Sequence, residues 1–307
     1  MATITLAEHL LRVKSKLVLG ITQEILDVNP MFVLMPWNGY AGSGIITNRE
    51  QTLGDADFYG LGDTITSKAA SDSQDVTFKA TRVIGDAEID GLQQAESEGS
   101  GNDNIAIEVA SKAKSVGRKI QTGIATGSGS NPQMNSLHSM VDSGQYATTT
   151  GNIFDDLDLL CSMVLSKDSM VDWIQLSMRD ALKLRSAYRA STGVPMMEIK
   201  SGNRTIKVME FNGIPVFVNS FLSITETANG AALTGGALSS MYAGNFDDGS
   251  EKVGVAMIHP QARPAGITVT NVGTKADKDQ DIIRVKAYCN FASFNKTGIA
   301  RLTDRAA

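Results

Sequence analysis

The sequence predicts an α+β fold in which a long two-stranded ribbon and a long amphipathic helix precede a mixed α/β body. Three observations carry that prediction. Residues 39–86 place Gly39, Gly42, Gly44, Gly54, Gly60, Gly62 and Gly85 around short alternating segments. Residues 99–124 repeat apolar side chains at helical spacing. From residue 151 onward strand and helix patterns alternate. The 307 residues suffice for one large domain or two moderate ones. A composition of 42% hydrophobic and 20% charged residues excludes wholesale disorder. Abundant glycine, 29 residues against 6% aromatics, points to turns, loops and strands instead of a helical bundle.

In chain order, Thr5-Leu6-Ala7-Glu8 has capping-box spacing, and Leu6, Leu10, Val13, Leu17 and Ile21 continue it as an amphipathic helix. That helix reads as a partner-docking arm or a core helix. Pro30 and Pro36 force extended chain around Met31 to Trp37. The ribbon is predicted from Asp57–Ile65 and Asp75–Val83, with the polar tip Ser67–Ser73 between them. A two-stranded ribbon is marginal in water by itself and needs a surface to lie on.

The long helix has Ser100, Asn102 and Asn104 as caps and Ile105, Val109, Ala113, Val116, Ile120 and Ile124 as its buried stripe. It stops at Thr126-Gly127-Ser128-Gly129-Ser130-Asn131-Pro132. This glycine-rich turn is not a phosphate loop: no GK[ST] follows, and it ends a helix where a phosphate loop would open one. Leu157, Leu160, Cys161 and Val164 mark the next helix, and Val171–Leu176 a strand. Ser177 caps Met178–Ala190, with Asp180 at the reciprocal position. Ile206–Phe211, Asn212-Gly213 and Ile214–Asn219 form the strongest hairpin signal, and Pro215 implies a free side on the second strand. Met241–Phe246 and Val253–Ile258 follow as strands. A strand from Gly266, the charged turn Lys275–Asp281, a strand with Ile283, Val285, Ala287, Cys289 and Phe291 on one face, and Thr297–Leu302 close the chain.

The charge balance, 28 basic and 33 acidic residues, lacks the surplus of cations by which nucleic-acid binders neutralise phosphate. Cys161 and Cys289 form no CxxC or CxxH and read as buried reduced thiols. Three uncharged stretches, 28–48, 120–141 and 227–246, are broken by proline or dominated by small and polar residues, so the sequence predicts a soluble protein without a membrane span. His9, His138 and His259 are the only histidines, with no HExxH, and there is no GxSxG. The acids at Asp86–Asp90 and Asp155, Asp156 and Asp158 read as turn and helix-cap charges, and Asp247-Asp248-Gly249 as a turn. No catalytic, cofactor or metal site is predicted, and no enzyme activity.

The order of these segments resembles the major capsid proteins of tailed phages, the Hong Kong 97 fold family. Ile107–Gly129 resembles the family's spine helix running into its glycine-rich turn. Val171–Pro195 resembles the strand and helix of the axial domain. Phe211–Asn219, FNGIPVFVN, and Tyr242–Phe246, YAGNF, resemble two further strands. The resemblance implies an N-terminal arm over residues 1–38 and an extended loop over 39–86. It also implies a peripheral domain over 87–150 and 267–307, and an axial domain over 151–266. It implies self-assembly as hexamers and pentamers, through loop and arm, into an icosahedral shell around double-stranded DNA. The particle would be a phage head folded in the host cytoplasm. Scaffold, portal and decoration proteins would be possible partners, with DNA held by non-specific proximity. Net acidity suits a container whose DNA must slide. An encapsulin-like cellular shell is the alternative within the fold, and a monomeric α/β enzyme with a scattered site the alternative outside it. Some relatives crosslink a loop lysine to an asparagine. Lys68 with Asn290 or Asn295 would be the matching residues here, although those residue types are common.

Overall fold

The computed structural model describes residues 31, 34–52, 54–67, 69–98, 104–165, 171–191, 193–201, 204–263 and 266–306. The predicted arm helix, the caps Ser100 and Asn102, and Lys68 lie outside them. Strands β1 (Trp37–Tyr40), β2 (Ile45–Thr52), β3 (Asp72–Phe78) and β4 (Thr81–Asp90) come first. Helices α1 (Gly91–Glu98), α2 (Asn104–Thr126) and α3 (Leu137–Met140) follow. Then come β5 (Tyr146–Thr148), α4 (Ile153–Leu165), β6 (Trp173–Leu176) and α5 (Met178–Ser191). Strands β7 (Met196–Ser201), β8 (Arg204–Phe211), β9 (Ile214–Val218), β10 (Ser239–Gly244) and β11 (Val255–Pro260) lead to β12 (Ile267–Thr274), β13 (Gln280–Ser293) and β14 (Ile299–Arg305).

Strand β13 organises the first sheet. Its N-terminal part pairs antiparallel with β12 on one side and with β4 on the other, and its C-terminal part pairs with β11, which in turn pairs parallel with β1. Helix α2 lies on this sheet because its stripe is complete: Val109, Ala113, Val116, Ile120 and Ile124 are all buried, against Ala87, Ile89, Val285, Ala287 and Cys289. Each of the buried valines and isoleucines contributes about 1.5–3 kcal/mol by leaving water. The turn after α2 closes on itself. Gly129 N donates to Met134 O and Ser128 N to Gln133 Oε1, so its amides serve the turn.

The second sheet has seven strands in the order β5-β14-β10-β6-β9-β8-β7. Helices α4 and α5 cover one face with Leu157, Leu160, Val164, Ala181 and Leu184, packed on Ile174, Val216, Met241, Ala243, Ala300 and Leu302. The opposite face sends Trp173, Phe217 and Tyr242 into the core that α2 also enters. The central strands β6 and β10 are therefore buried at every residue, on both faces. At the β8–β9 hairpin, Asn212 and Gly213 take φ of 50° and 83°, the left-handed pair that a tight two-residue turn requires. The ladder of β9 with β6 starts at Val216, so the missing amide of Pro215 falls outside it.

Sheet membership does not follow the expected division at residue 266. Strand β11 belongs to the first sheet, and β14, at the end of the chain, lies inside the second. A strand burying Ala300 and Leu302 on one face and Ile299 on the other needs neighbours on both edges, which β5 and β10 supply.

Strand β14 also carries two buried cations. Arg301, 2% exposed, pairs with Glu226 at 2.9 Å and donates to Ser240 Oγ at 3.0 Å. Arg305 pairs with Asp156, whose carboxylate also accepts from Thr149 and Thr150. Asp156 is thus a fully engaged buried acid, where the sequence suggested a solvated cap. Ser177 caps α5 as expected, its Oγ accepting from Asp180 N, while the Asp180 carboxylate accepts from the hydroxyls of Ser177 and Ser239.

Removing one member of a buried pair strands the other charge. Glu226→Ala should therefore lower stability by about 3–5 kcal/mol, read from a shifted denaturant midpoint. The pH profile has its own signature. Burial, then the charge of Arg301, pushes the His138 imidazole down from 6.5 to about 4. A base whose folded value is depressed contributes stability that is complete above 6.5 and lost as pH falls toward about 4. The melting temperature should fall through that window, and His138→Gln should flatten it. Below 3.8 a second loss belongs to Asp156: burial opposes ionisation, but the bonds from Thr149 and Thr150 and the charge of Arg305 outweigh it and hold the carboxyl below its ordinary value.

Candidate functional site

The ribbon joins a buried root to a tip whose apolar side chains are exposed. Strands β2 and β3 pair antiparallel from Ile45 opposite Phe78 to Thr52 opposite Asp72. These are not the segments the alternation suggested. Asp57–Ile65 forms no strand: Gly60 and Gly62 interrupt it, and Phe58, Leu61 and Ile65 are exposed. The predicted strand Asp75–Val83 is split at Lys79-Ala80. There Ala80 N donates to Tyr40 Oη and Lys79 O accepts from Asn290 Nδ2, so β3 serves the ribbon and β4 the body.

The base of the ribbon is anchored. Ile45 and Phe78 pack with Ala256, Ile258, Ala292 and Phe294 as a separate small core. Phe78 meets Phe294 edge-on at 6.0 Å. Arg49 stacks 5.4 Å over the Phe78 ring and donates to the Ser293 carbonyl. The distal part is different. Phe58 is 101% and Leu61 111% exposed, and Ile65 is exposed as well. Beyond Arg49 only the last residues of β2 remain, about 10 Å of extended chain at roughly 3.3 Å per residue, before the tip begins.

The hydrogen bonds of the tip among the described residues run within it. The Tyr59 hydroxyl accepts from Thr66 N at 3.0 Å and Ser67 N at 2.7 Å, and donates to Ser67 Oγ. These bonds, first those with the side chains, pull its phenol down to about 8. Asp63 accepts from Gly60 N at 2.6 Å. The result is a shaped loop presenting Phe58 and Leu61 to solvent. Burying two such side chains against another surface is worth a few kcal/mol. A rigid base with an uncovered apolar tip is the geometry of a docking arm.

The remaining candidates are structural. Cys161 and Cys289 are buried free thiols, pushed up to about 11 and about 12, each by burial first. His259 Nδ1 lies 3.1 Å from the Arg263 carbonyl. Asp86 forms a two-pronged pair with Arg284, both bonds at 2.8 Å, directly across the β4–β13 ladder. Asp247 accepts from Asn38 at 2.6 Å and Asp248 from Ser250 N at 2.9 Å, which makes this a closed turn. Asn290 is buried, with its amide donating to Lys79 O and its oxygen accepting from Asn135 N. Asn295 accepts from Gly254 N and donates to Thr297 Oγ1. Both asparagines are thus committed to the fold. Among the described residues no cluster of three or more His, Cys, Asp or Glu could hold a metal, and no helix is long and apolar enough to cross a membrane.

No protein-family model matches the chain, and no curated protein matches it. Solved structures do. The holo-SrpI encapsulin complex from Synechococcus elongatus PCC 7942 superposes with a TM-score of 0.68 at 13% identity, over 90% of this chain and 86% of that one. The capsid of the native GTA particle gives 0.59 at 10% identity, over 90% of each chain. A chain of Microbacterium phage Oxtober96 gives 0.55 at 13% identity, again over 90% of each. The agreement spans about nine-tenths of the chain, and sequence contributes little to it. The chain has the Hong Kong 97-type capsid fold.

Proposed function

We propose that the chain is the subunit of a closed protein shell, assembled through its ribbon onto neighbouring copies. The observation that carries this reading is the ribbon itself: anchored by Phe78, uncovered at Phe58 and Leu61. Assembly supplies the missing cover. The accessible surface is 16489 Å², whereas a compact chain of this size exposes about 12,000 Å². A standard interface buries about 800 Å² per partner, so the surplus accommodates several neighbours.

Within that reading the shell is a phage head built of hexamers and pentamers around double-stranded DNA, and the chain is not an enzyme. The net charge of −5 supports it, since a wall that repels phosphate lets DNA pack and leave. A second reading, a cellular compartment shell, draws support from the TM-score of 0.68 to an encapsulin against 0.55–0.59 for the phage and GTA chains above. Particles recovered from the native source separate the two. Nuclease-protected double-stranded DNA inside supports the phage head, and an enclosed protein cargo supports the compartment.

The shell reading is tested by size-exclusion chromatography with negative-stain microscopy. The purified chain should elute as capsomers or megadalton particles. Phe58→Ser/Leu61→Ser should abolish them. Because both side chains are exposed, the same variant should keep its stability within about 0.5 kcal/mol. Phe78→Ala, by contrast, should lose about 3–5 kcal/mol. A wild-type chain that remains a compact monomer at all concentrations would contradict the proposal.

A further inference from the structure

The loop at the ribbon tip is built around one oxygen. Residues 60–63 form an inner turn: Asp63 N donates to Gly60 O at 3.2 Å, Gly60 N donates to Asp63 Oδ2 at 2.6 Å, and Gly62 takes φ of 93°. Outside that turn the Tyr59 hydroxyl reaches seven and eight residues along the chain. It meets Thr66 N at 3.0 Å, Ser67 N at 2.7 Å, Ser67 Oγ at 2.8 Å and Thr66 Oγ1 at 3.3 Å. The two amides can only donate, and the two hydroxyls can turn to donate. Neither a carbonyl nor a carboxylate stands among these partners. A neutral phenol gives its proton to the Ser67 hydroxyl and accepts from the amides. An ionised phenol can accept from all four, and hydrogen bonds to an ion are about twice as strong as neutral ones.

The charged groups of the described tip are Asp55, Asp57 and Asp63, all acids, which oppose a further negative charge. Asp57 accepts from Phe58 N and Asp63 from Gly60 N. Residues 54–66 are exposed throughout, so among the described residues the phenol answers to its own loop. Lys68, the one cation of the sequence between Gly54 and Ser71, lies outside the described residues. We infer that Tyr59, Thr66 and Ser67 form a protonation-gated clasp of the ribbon tip: loss of the phenol proton tightens the loop over residues 59–67, and its return loosens it. The direction follows from linkage. An acid whose folded value lies below its free value of 10.0 adds stability that is complete above 10.0 and is lost as pH falls through about 8. The consequence for assembly rests on the proposed shell function. A tip ordered before contact loses less freedom on docking, so assembly gains as pH rises through that window.

Ultraviolet difference titration of the full chain against Tyr59→Phe isolates one phenol among six. That phenol should ionise at about 8. Thr66→Val/Ser67→Ala removes both hydroxyls and should move it toward 10.0, whereas Lys68→Met should leave it in place. A Tyr59 phenol that ionises at the ordinary value, or one that Lys68→Met alone returns there, would overturn the inference. Assembly gives the second measurement. The ratio of assembled wild type to assembled Tyr59→Phe should rise roughly threefold between about pH 7 and about pH 9. Particles that form normally with a flat ratio would overturn the link from clasp to assembly and leave the shell function standing. A wild-type chain that never assembles would overturn the shell function, and the titration would still decide the clasp.

Discussion

The whole structure depends on one imbalance: a ribbon whose root is buried and whose tip is not. Phe78, Ile45 and Phe294 pack as tightly as any core side chains, while Phe58 and Leu61 carry their full apolar area into water. A free hairpin tip gains nothing from such residues while they stay in water. The root fixes the direction of the arm and so limits the entropy lost when it docks. The body supplies the rigidity behind the root. Helix α2 and β13 hold the first sheet, and β14 ties the end of the chain into the second.

The buried charges on β14 extend this logic. Arg301 reaches Glu226 and Arg305 reaches Asp156, so the last strand clasps segments far away in sequence. Buried pairs of this kind are poor sources of net stability, but they penalise wrong registers heavily. A strand threaded between β5 and β10 has many apolar registers open to it. Two cations that must each find one particular carboxylate leave few.

Much of this fold was legible in the sequence, and the failures have physical reasons. The α2 stripe, the Asn212-Gly213 hairpin and the alternating face of β13 were readable because local chemistry and burial agree there. The ribbon strands were misplaced because alternation around Phe58 and Leu61 mimics a half-buried strand, although nothing on the chain buries it. The true strand at Ile45–Thr52 has only its first residues in a core, so its pattern is weak. Sheet membership of β11 and β14 is a long-range property that no window of sequence contains. The same holds for Asp156 and Arg305, 149 residues apart, which look like surface charges until the fold brings them together.

The most direct test of the central claim is amide hydrogen exchange at residues 54–66, compared between assembled protein and dissociated subunits. If a second copy covers the tip, these amides are strongly protected in the assembly and exchange rapidly in the free subunit, while the root around Phe78 is protected in both. Equal, rapid exchange of the tip in both states would contradict the account.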